Sequence, residues 1–292
     1  MLKGKLEHSD SQTKLLHLII GSIIAILLIS IASVPFLSHD NANMQNIRVL
    51  QLIQSGILFV LLPLVLAYMW SHRPLSFLKL RTRTKPTPYI LVVLLMFVAI
   101  PAINYLSFSN KSIELPAALS GIEKWMQLQE IKLEQITMQL LEVSTLFELA
   151  QNIFLIAILA GIGEELFFRG IVQQIIFKAN YKILAIWVTA FIFSFIHFQF
   201  YGFIPRLLLG ALFGYLMVWG NNLWLPILAH GVNNAIGVSY HYLKFNNFIH
   251  FDIEHIGTGK SSWLALVSCL ICIAILWFLR RYFLVPKHPQ SE

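Results

Sequence analysis

The amino-acid sequence predicts an all-α protein, a polytopic bundle of about eight transmembrane helices with one amphipathic surface helix. Of its 292 residues, 57% are hydrophobic and only 12% are charged. That charged fraction is about half of the roughly 25% found in soluble domains. Because a helix needs about 20 apolar residues to cross a bilayer, the chain is long enough for several spans joined by short loops. We therefore expect a single integral membrane domain over residues 1–292.

The apolar runs that predict these helices follow one another along the whole chain. The first run follows three lysines, as a signal peptide would. It is too long for one and lacks a small-residue cleavage site, so we interpret it as a retained helix. The eight runs are 15–37, 49–70, 89–108, 149–177, 183–201, 203–219, 223–242 and 263–284.

The distribution of positive charge predicts the orientation of the bundle. Cytoplasmic segments of membrane proteins carry an excess of Lys and Arg. With the amino terminus inside, 13 of the 21 Lys and Arg residues face the cytoplasm, 7 face the other side, and Arg169 lies within the membrane. Both termini are therefore expected to be cytoplasmic. The 13 are Lys3, Lys5, Lys14, Arg73, Lys79, Arg81, Arg83, Lys85, Lys178, Lys182, Arg280, Arg281 and Lys287; the 7 are Arg48, Lys111, Lys124, Lys132, Arg206, Lys244 and Lys260.

The net charge of +7 is accounted for by this orientation signal. No basic run is interleaved with exposed aromatic residues in a soluble segment, so we expect the lipid bilayer and no nucleic acid as a partner. The lack of a cleavable leader and of a long extra domain favours a bacterial inner membrane. Cys269 and Cys272 lie inside one apolar run, so they form neither a disulfide framework nor a cysteine-based zinc site.

One sizeable segment outside the apolar runs, residues 115–148, is predicted to form an extracytoplasmic amphipathic helix. Its apolar residues recur at mostly helical spacing, with Glu and Lys between them. Two interpretations stay open. The helix acts as a lid or substrate guide at the membrane surface, or it packs over the outer end of the bundle; we favour packing. The apolar positions are Ile122, Trp125, Met126, Leu128, Ile131, Leu133, Ile136, Leu140 and Leu141.

Ionisable residues inside the fourth apolar run require an explanation, because a charge in the bilayer interior costs several kcal/mol unless it is paired or hydrated. Glu164, Glu165 and Arg169 lie within residues 161–170. Glu165 and Arg169 are four residues apart and can pair on one helix face. Glu164 points about 100° away from that face and lacks that partner. Taken alone, the three are also compatible with a structural ion pair and a spare carboxylate.

Two further apolar runs contribute imidazole and amide groups. The fifth run carries Phe193 and His197, and the seventh carries His230 and Asn234, which are four apart and share a face. Each pair alone is more typical of packing than of catalysis, since His and Asn often join helices in a bundle. Together with the carboxylates they supply an acid or base, its partner and hydrogen-bond donors. These are the components of a hydrolytic site.

The ordered combination Glu-Glu-x-x-x-Arg, Phe-x-x-x-His and His-x-x-x-Asn resembles the CPBP (Abi) family of intramembrane proteases. That family includes CAAX prenyl endopeptidases and relatives associated with bacteriocin processing or immunity. The defining positions are Glu164, Glu165, Arg169, Phe193, His197, His230 and Asn234. The motif-bearing resemblance covers residues 149–242, which we expect to form the catalytic core.

The resemblance implies hydrolysis of peptide bonds in membrane-associated peptides or proteins, prenylated CAAX peptides among them. Glu164 and His197 would activate a water molecule, and His230 and Asn234 would stabilise the oxyanion. Glu165, Arg169 and Phe193 would support the site. Glu164, His197 and His230 could instead hold zinc, although the sequence has no His-Glu-x-x-His helix; we favour the metal-free mechanism.

Two functions from other classes remain as alternatives. Buried Glu, Arg and His also line ion pathways, which leaves a transporter or proton pathway open. The paired inverted repeats or broken helices of many carriers are missing from the sequence. A family member without proteolytic activity, such as a bacteriocin-immunity or membrane scaffold protein, is the second alternative. The intact motifs favour the protease over both.

Overall fold

The computed structural model of the protein describes residues 2–37, 44–177 and 181–284. These described parts are helical and contain no strand, which confirms the all-α prediction. Two residues of the charge count, Lys178 and Lys287, lie outside them.

Ten main helices are formed by the described residues, and each of the eight predicted apolar runs overlaps at least one of them. Helices α3 and α4 form a pair bent by 45°, and α3 begins with Pro86, whose fixed φ suits the first helical turn. The helices are α1 Ser11–Leu37, α2 Met44–Trp70, α3 Pro86–Val98, α4 Ile100–Lys111, α5 Ser120–Leu141, α6 Leu146–Ile176, α7 Lys182–Phe195, α8 Phe203–Gly220, α9 Trp224–Phe245 and α10 Ser262–Leu284.

The predicted number of about eight spans is not confirmed. Among the described residues, five helices are long and apolar enough to cross a membrane, or six if the bent α3–α4 pair counts as one span. The five correspond to α1, α2, α6, α8 and α10. Helix α7 is apolar but has only 14 residues, and α9 carries His and Asn side chains that lower its hydropathy. The residues that form the site thus weaken the hydropathy signal of their own helix.

Helix α5 is shorter than the predicted segment 115–148. Apolar side chains on its amino-terminal half are exposed, Ile122, Trp125, Leu128 and Ile131 among them, whereas Leu140 and Leu141 at its end are buried. The carboxyl end of α5 therefore packs against the bundle. A position at the membrane surface stays a prediction for this helix.

Helix α6 lies between α2 and α9 and carries the acidic motif. Two of its segments, Ile153–Leu159 and Phe168–Val172, are wound as π-helix, one on each side of Glu164. The packing against α9 is close: a Cβ on Gly161 would lie 3.2 Å from the backbone nitrogen of Gly231. This seam between two glycines lets the backbones of α6 and α9 approach, and it brings the motifs of both helices together.

Candidate active site

Glu165 and Arg169 form a fully buried ion pair inside the bundle. Arg169 Nη1 donates to Glu165 Oε1 at 2.7 Å, and both side chains are 0% exposed. Arg169 Nη2 donates to the backbone carbonyl of Gly210 at 2.7 Å, which links α6 to α8. The i,i+4 pairing expected from the sequence is thus present, and it joins two helices as well as bracing one.

Aromatic rings enclose the Arg169 guanidinium. Its Cζ lies 4.8 Å from the ring centre of Phe193 and 5.4 Å from that of Phe213. Cations over aromatic faces are stabilised electrostatically, most strongly where water is excluded. Phe213 also stacks on His230, with centroids 5.3 Å apart. Phe193 therefore contacts the cation directly, and its supporting role stays a prediction.

His230 is held by the same carboxylate oxygen that Arg169 contacts. Its Nδ1 lies 2.9 Å from Glu165 Oε1. An ionised carboxylate only accepts hydrogen bonds, so Nδ1 carries the hydrogen, and the Nε2 of a neutral His230 is an acceptor. That Nε2 lies 3.9 Å from Glu164 Oε2. Sequence reasoning did not find the contact between Glu165 and His230, because it joins two helices that are distant in the chain.

His197 lies just beyond the end of α7, not within a helix as the predicted run 183–201 implied. Its Nδ1 lies 2.7 Å from the backbone carbonyl of Phe193. A carbonyl can only accept, so here too Nδ1 is the donor. The Nε2 atom faces Glu164 Oε2 at 4.0 Å. Both imidazoles therefore direct the same type of nitrogen toward one carboxylate.

Asn234 is tied to the backbone of α6. Its Nδ2 donates to the carbonyl of Ile156 at 2.9 Å, and its Oδ1 accepts from Asn233 at 3.3 Å. An amide nitrogen carries two hydrogens, and the contact with Ile156 uses one of them. The second hydrogen is available to a ligand.

The four side chains predicted to be catalytic line one cavity of about 570 Å³. The end of α5 also lines it, through Thr137, Leu140 and Leu141. Volumes of this order are typical of small-ligand sites. The four residues brought together are Glu164, His197, His230 and Asn234.

Arg206 also lines this cavity, although the sequence analysis counted it among the charges outside the membrane. It lies in the first turn of α8. Like Arg169, Arg206 lies inside an apolar run, and this sequence signal could have indicated that its side chain lies within the bundle. His241, about two turns beyond Asn234 on α9, lines the cavity too.

The described part of the chain contains no group of three His, Cys, Asp or Glu side chains placed to hold a metal ion. Glu164, His197 and His230 are close, but their donor atoms do not form such a group.

Helices able to span a membrane and a polar cavity between them indicate an integral membrane protein with an internal site. Residues 146–236 match the family model described as "Type II CAAX prenyl endopeptidase Rce1-like". The matched stretch contains all three motifs, and the match confirms the resemblance inferred from them. No curated protein and no solved structure matches the chain.

Proposed function

We propose that the protein is an intramembrane endopeptidase that hydrolyses peptide bonds of membrane-associated peptides or proteins with a water activated by Glu164 and His197. One observation carries the proposal. Glu164 Oε2 lies 4.0 Å and 3.9 Å from the Nε2 atoms of His197 and His230. These separations are too long for direct hydrogen bonds and suit one water between the groups.

The proposed reaction begins with proton transfer from this water to Glu164 while the water oxygen attacks the carbonyl carbon. A tetrahedral intermediate with a negative oxygen forms. The carbon–nitrogen bond then breaks as the proton passes from Glu164 to the leaving nitrogen, so the products are a carboxylic acid and an amine. A general base must lie within hydrogen-bond reach of its proton, directly or through one water.

The hydrogen bonds of the two imidazoles suggest different roles for them. Neutral His197 offers an Nε2 lone pair, so it accepts a hydrogen of the attacking water and helps to orient it. His230 donates through Nε2 only as an imidazolium, in which both ring nitrogens carry a hydrogen. Protonated His230 and the second hydrogen of Asn234 would then stabilise the oxyanion.

Within the proposal, the membrane arrangement follows the charge distribution. We place both termini in the cytoplasm of a bacterium, with about eight helices in the inner membrane and the catalytic core over residues 149–242. Helix α5 would lie on the opposite face, where its buried carboxyl end covers the cavity. A packing role for α5 is favoured over a lid, because Leu140 and Leu141 are buried.

The test is a cleavage assay with purified protein in vesicles and a library of membrane-inserted peptides. Glu164→Gln removes the base but keeps the side-chain volume, so we expect cleavage to fall by about 10²- to 10⁴-fold with unchanged thermal unfolding. Glu134→Gln, on the exposed surface of α5, is the matched control and should cleave like the wild type.

Cleavage by Glu164→Gln at the wild-type rate would contradict the proposed base. No cleavage by the wild type, in a preparation that unfolds cooperatively, would instead favour the non-proteolytic scaffold. A transporter would be indicated by flux of protons or solutes into vesicles without proteolysis. The family match favours neither of these alternatives.

A further inference from the structure

A second cavity, the α3–α6–α9 groove, lies between the three helices of that name. Its volume is about 630 Å³, which is within the range of small-ligand sites. It shares no lining residue with the catalytic cavity. Apart from the polar tips of Tyr89 and Trp224, the side chains that line it are aliphatic. Ile158 and Trp224 are nearly half exposed, so the groove opens at the surface of the bundle.

The two amphipathic side chains mark one end of the groove. Tyr89 and Trp224 lie near the starts of α3 and α9. The Tyr89 hydroxyl accepts a hydrogen bond from Asn222 Nδ2 at 2.8 Å, and the Trp224 indole donates to the carbonyl of Leu80 at 3.0 Å. Tyr and Trp are enriched where a membrane meets water. We therefore expect this end at the level of the lipid headgroups and the aliphatic remainder among the acyl chains.

A basic segment, residues 79–85, is fixed at that same end. Thr82 Oγ1 donates to the carbonyl of Asn221 at 2.7 Å, and Thr84 Oγ1 accepts from Asn222 Nδ2 at 2.9 Å. Alternate residues of the segment are thus hydrogen-bonded to the turn between α8 and α9. This holds the segment in place beside the mouth of the groove.

The residues that alternate with these threonines are cationic. Arg81, Arg83 and Lys85 are exposed, whereas Thr82 and Thr84 between them are partly buried. No Asp or Glu in the described part of the chain forms an ion pair with the three cations. The positive-inside rule requires basic residues on one side of the membrane, but it does not require a fixed row of them at the mouth of an apolar groove. The row and the groove together suit an anion that carries an apolar chain.

We propose that the α3–α6–α9 groove binds one anionic phospholipid. An acyl chain lies along the aliphatic side chains, and the phosphate group contacts the row formed by Arg81, Arg83 and Lys85. The planar donors of a guanidinium match phosphate oxygens in pairs. Basic clusters beside membrane helices are typical binding sites for anionic headgroups. The inference does not depend on the proposed protease activity.

Other ligands satisfy only one half of this site. Phosphatidylcholine would fill the groove, but its headgroup has no net charge and would leave the cations without a counterion. A soluble phosphate would meet exposed, hydrated cations and leave the apolar groove unfilled. An anionic lipid satisfies both halves.

A bound lipid would also contact the helices that form the catalytic site. Ala157 of α6 and Gly231 of α9 line the groove, and the same two helices carry Glu164 and His230. A ligand that binds only the folded protein stabilises it by mass action. The thermal unfolding temperature should therefore rise as anionic lipid is added.

The experiment titrates the purified full-length chain in neutral detergent and counts bound lipids by native mass spectrometry. The probes are dioleoylphosphatidylglycerol, dioleoylphosphatidylcholine and glycerol 1-phosphate, which is an anionic headgroup without chains. The test variant is the double substitution Arg81→Gln with Arg83→Gln. The matched control is Arg280→Gln with Arg281→Gln, two exposed cations at the end of α10 that lie outside the groove.

We expect one phosphatidylglycerol to bind saturably and more tightly than phosphatidylcholine. Each basic side chain near the surface contributes about fivefold to the affinity for anionic lipid, so the test variant should weaken phosphatidylglycerol binding by about 25-fold and leave phosphatidylcholine binding unchanged. The control should bind both lipids like the wild type. Glycerol 1-phosphate should not compete with phosphatidylglycerol.

A second pair of variants tests the groove itself. Ala235→Phe fills it from α9 and Ile158→Trp fills it from α6. Each should reduce the binding of phosphatidylglycerol although all three cations remain. The thermal unfolding temperature without lipid identifies a variant that fails to fold, and the other variant then carries the test.

Four results would overturn the proposal. Equal affinity of the wild type for the two lipids would remove the role of the cations. An equal loss in the α10 control would indicate general surface charge. Undiminished phosphatidylglycerol binding by folded groove-filling variants would show that the chain lies elsewhere. Competition by glycerol 1-phosphate at the affinity of the lipid would indicate a site for free phosphate. Saturable lipid binding by a chain that cleaves no peptide would support the lipid site and contradict only the proposed protease activity.

Discussion

Removing the Arg169 side chain should damage the fold and the site together. In Arg169→Ala, Glu165 loses the guanidinium at 2.7 Å and the carbonyl of Gly210 loses its side-chain donor. The enclosing rings of Phe193 and Phe213 are left around a cavity. Because His230 hydrogen-bonds the same Glu165 oxygen, its orientation is expected to loosen as well.

The size of the effect follows from the burial of the pair. Breaking a buried ion pair by removing one partner costs about 3–5 kcal/mol. We expect about 3 kcal/mol here, at the lower end of that range, because His230 remains as a partner of the Glu165 carboxylate at 2.9 Å. A double variant, Glu165→Gln with Arg169→Met, should regain part of this stability because neither charge is left buried and unpaired. It should remain inactive, because His230 has then lost its carboxylate.

The assay is the free energy of unfolding in detergent, measured alongside peptide cleavage. Arg280→Ala, on the exposed face of α10, is the control and should change stability by no more than about 0.5 kcal/mol. The reasoning would be refuted if Arg169→Ala were as stable as the wild type. A double variant that cleaves peptides normally would refute the link between Glu165 and His230.

Three further predictions concern packing, pH and metal. Gly161→Ala should destabilise the protein more than Gly231→Ala. The new Cβ at position 161 would lie 3.2 Å from the backbone nitrogen of Gly231, whereas a Cβ at position 231 would lie 3.4 Å from the carbonyl oxygen of Ala157. Equal decreases in the thermal unfolding temperature of the two variants would contradict this. Hydrogen bonds from Tyr240 and Lys244 hold the pKa of Asp252 well below its usual range. The stabilisation by Asp252 is therefore present above about pH 4 and is lost only as the pH falls further. Asp252→Asn should reduce hydrogen-exchange protection of residues 246–261 at neutral pH, and a difference from the wild type that disappears already by pH 6 would be inconsistent. A strong zinc chelator should leave cleavage unchanged; one zinc per active chain, with activity lost on chelation and restored by zinc, would establish the metal-dependent alternative.

Much of the fold could be predicted from periodicity and composition. Every apolar run overlaps a helix, because burying a long apolar segment in lipid requires internal hydrogen bonding of its backbone. The number of spans was harder to predict, since α7 is short and α9 carries the polar residues of the site. The end of α7 at Phe195 was also missed, because Ile196, Phe198 and Phe200 continue the apolar run past it.

The candidate site could be predicted where its chemistry is local in sequence. The spacing of Glu165 and Arg169 is sufficient to predict their pairing. The contact of Glu165 with His230 and the bond from Asn234 to the Ile156 carbonyl depend on how α6 and α9 pack, which no spacing encodes. Arg206 was assigned to the membrane exterior because charge counting treats every cation near the end of an apolar run as a loop residue.

The π-helical winding of α6 makes the number of residues in that helix part of the site. A π-turn holds one more residue than an α-turn does, and each residue of an α-helix turns the following side chains by about 100°. Restoring regular α winding to all seven residues of Ile153–Leu159 would turn Glu164 by roughly 100° away from both imidazoles while leaving every motif residue in place. A substitution that abolished the π winding without removing a residue would therefore inactivate the site as effectively as replacing the carboxylate, and an intact set of motifs is meaningful only together with the winding of the helix that carries it.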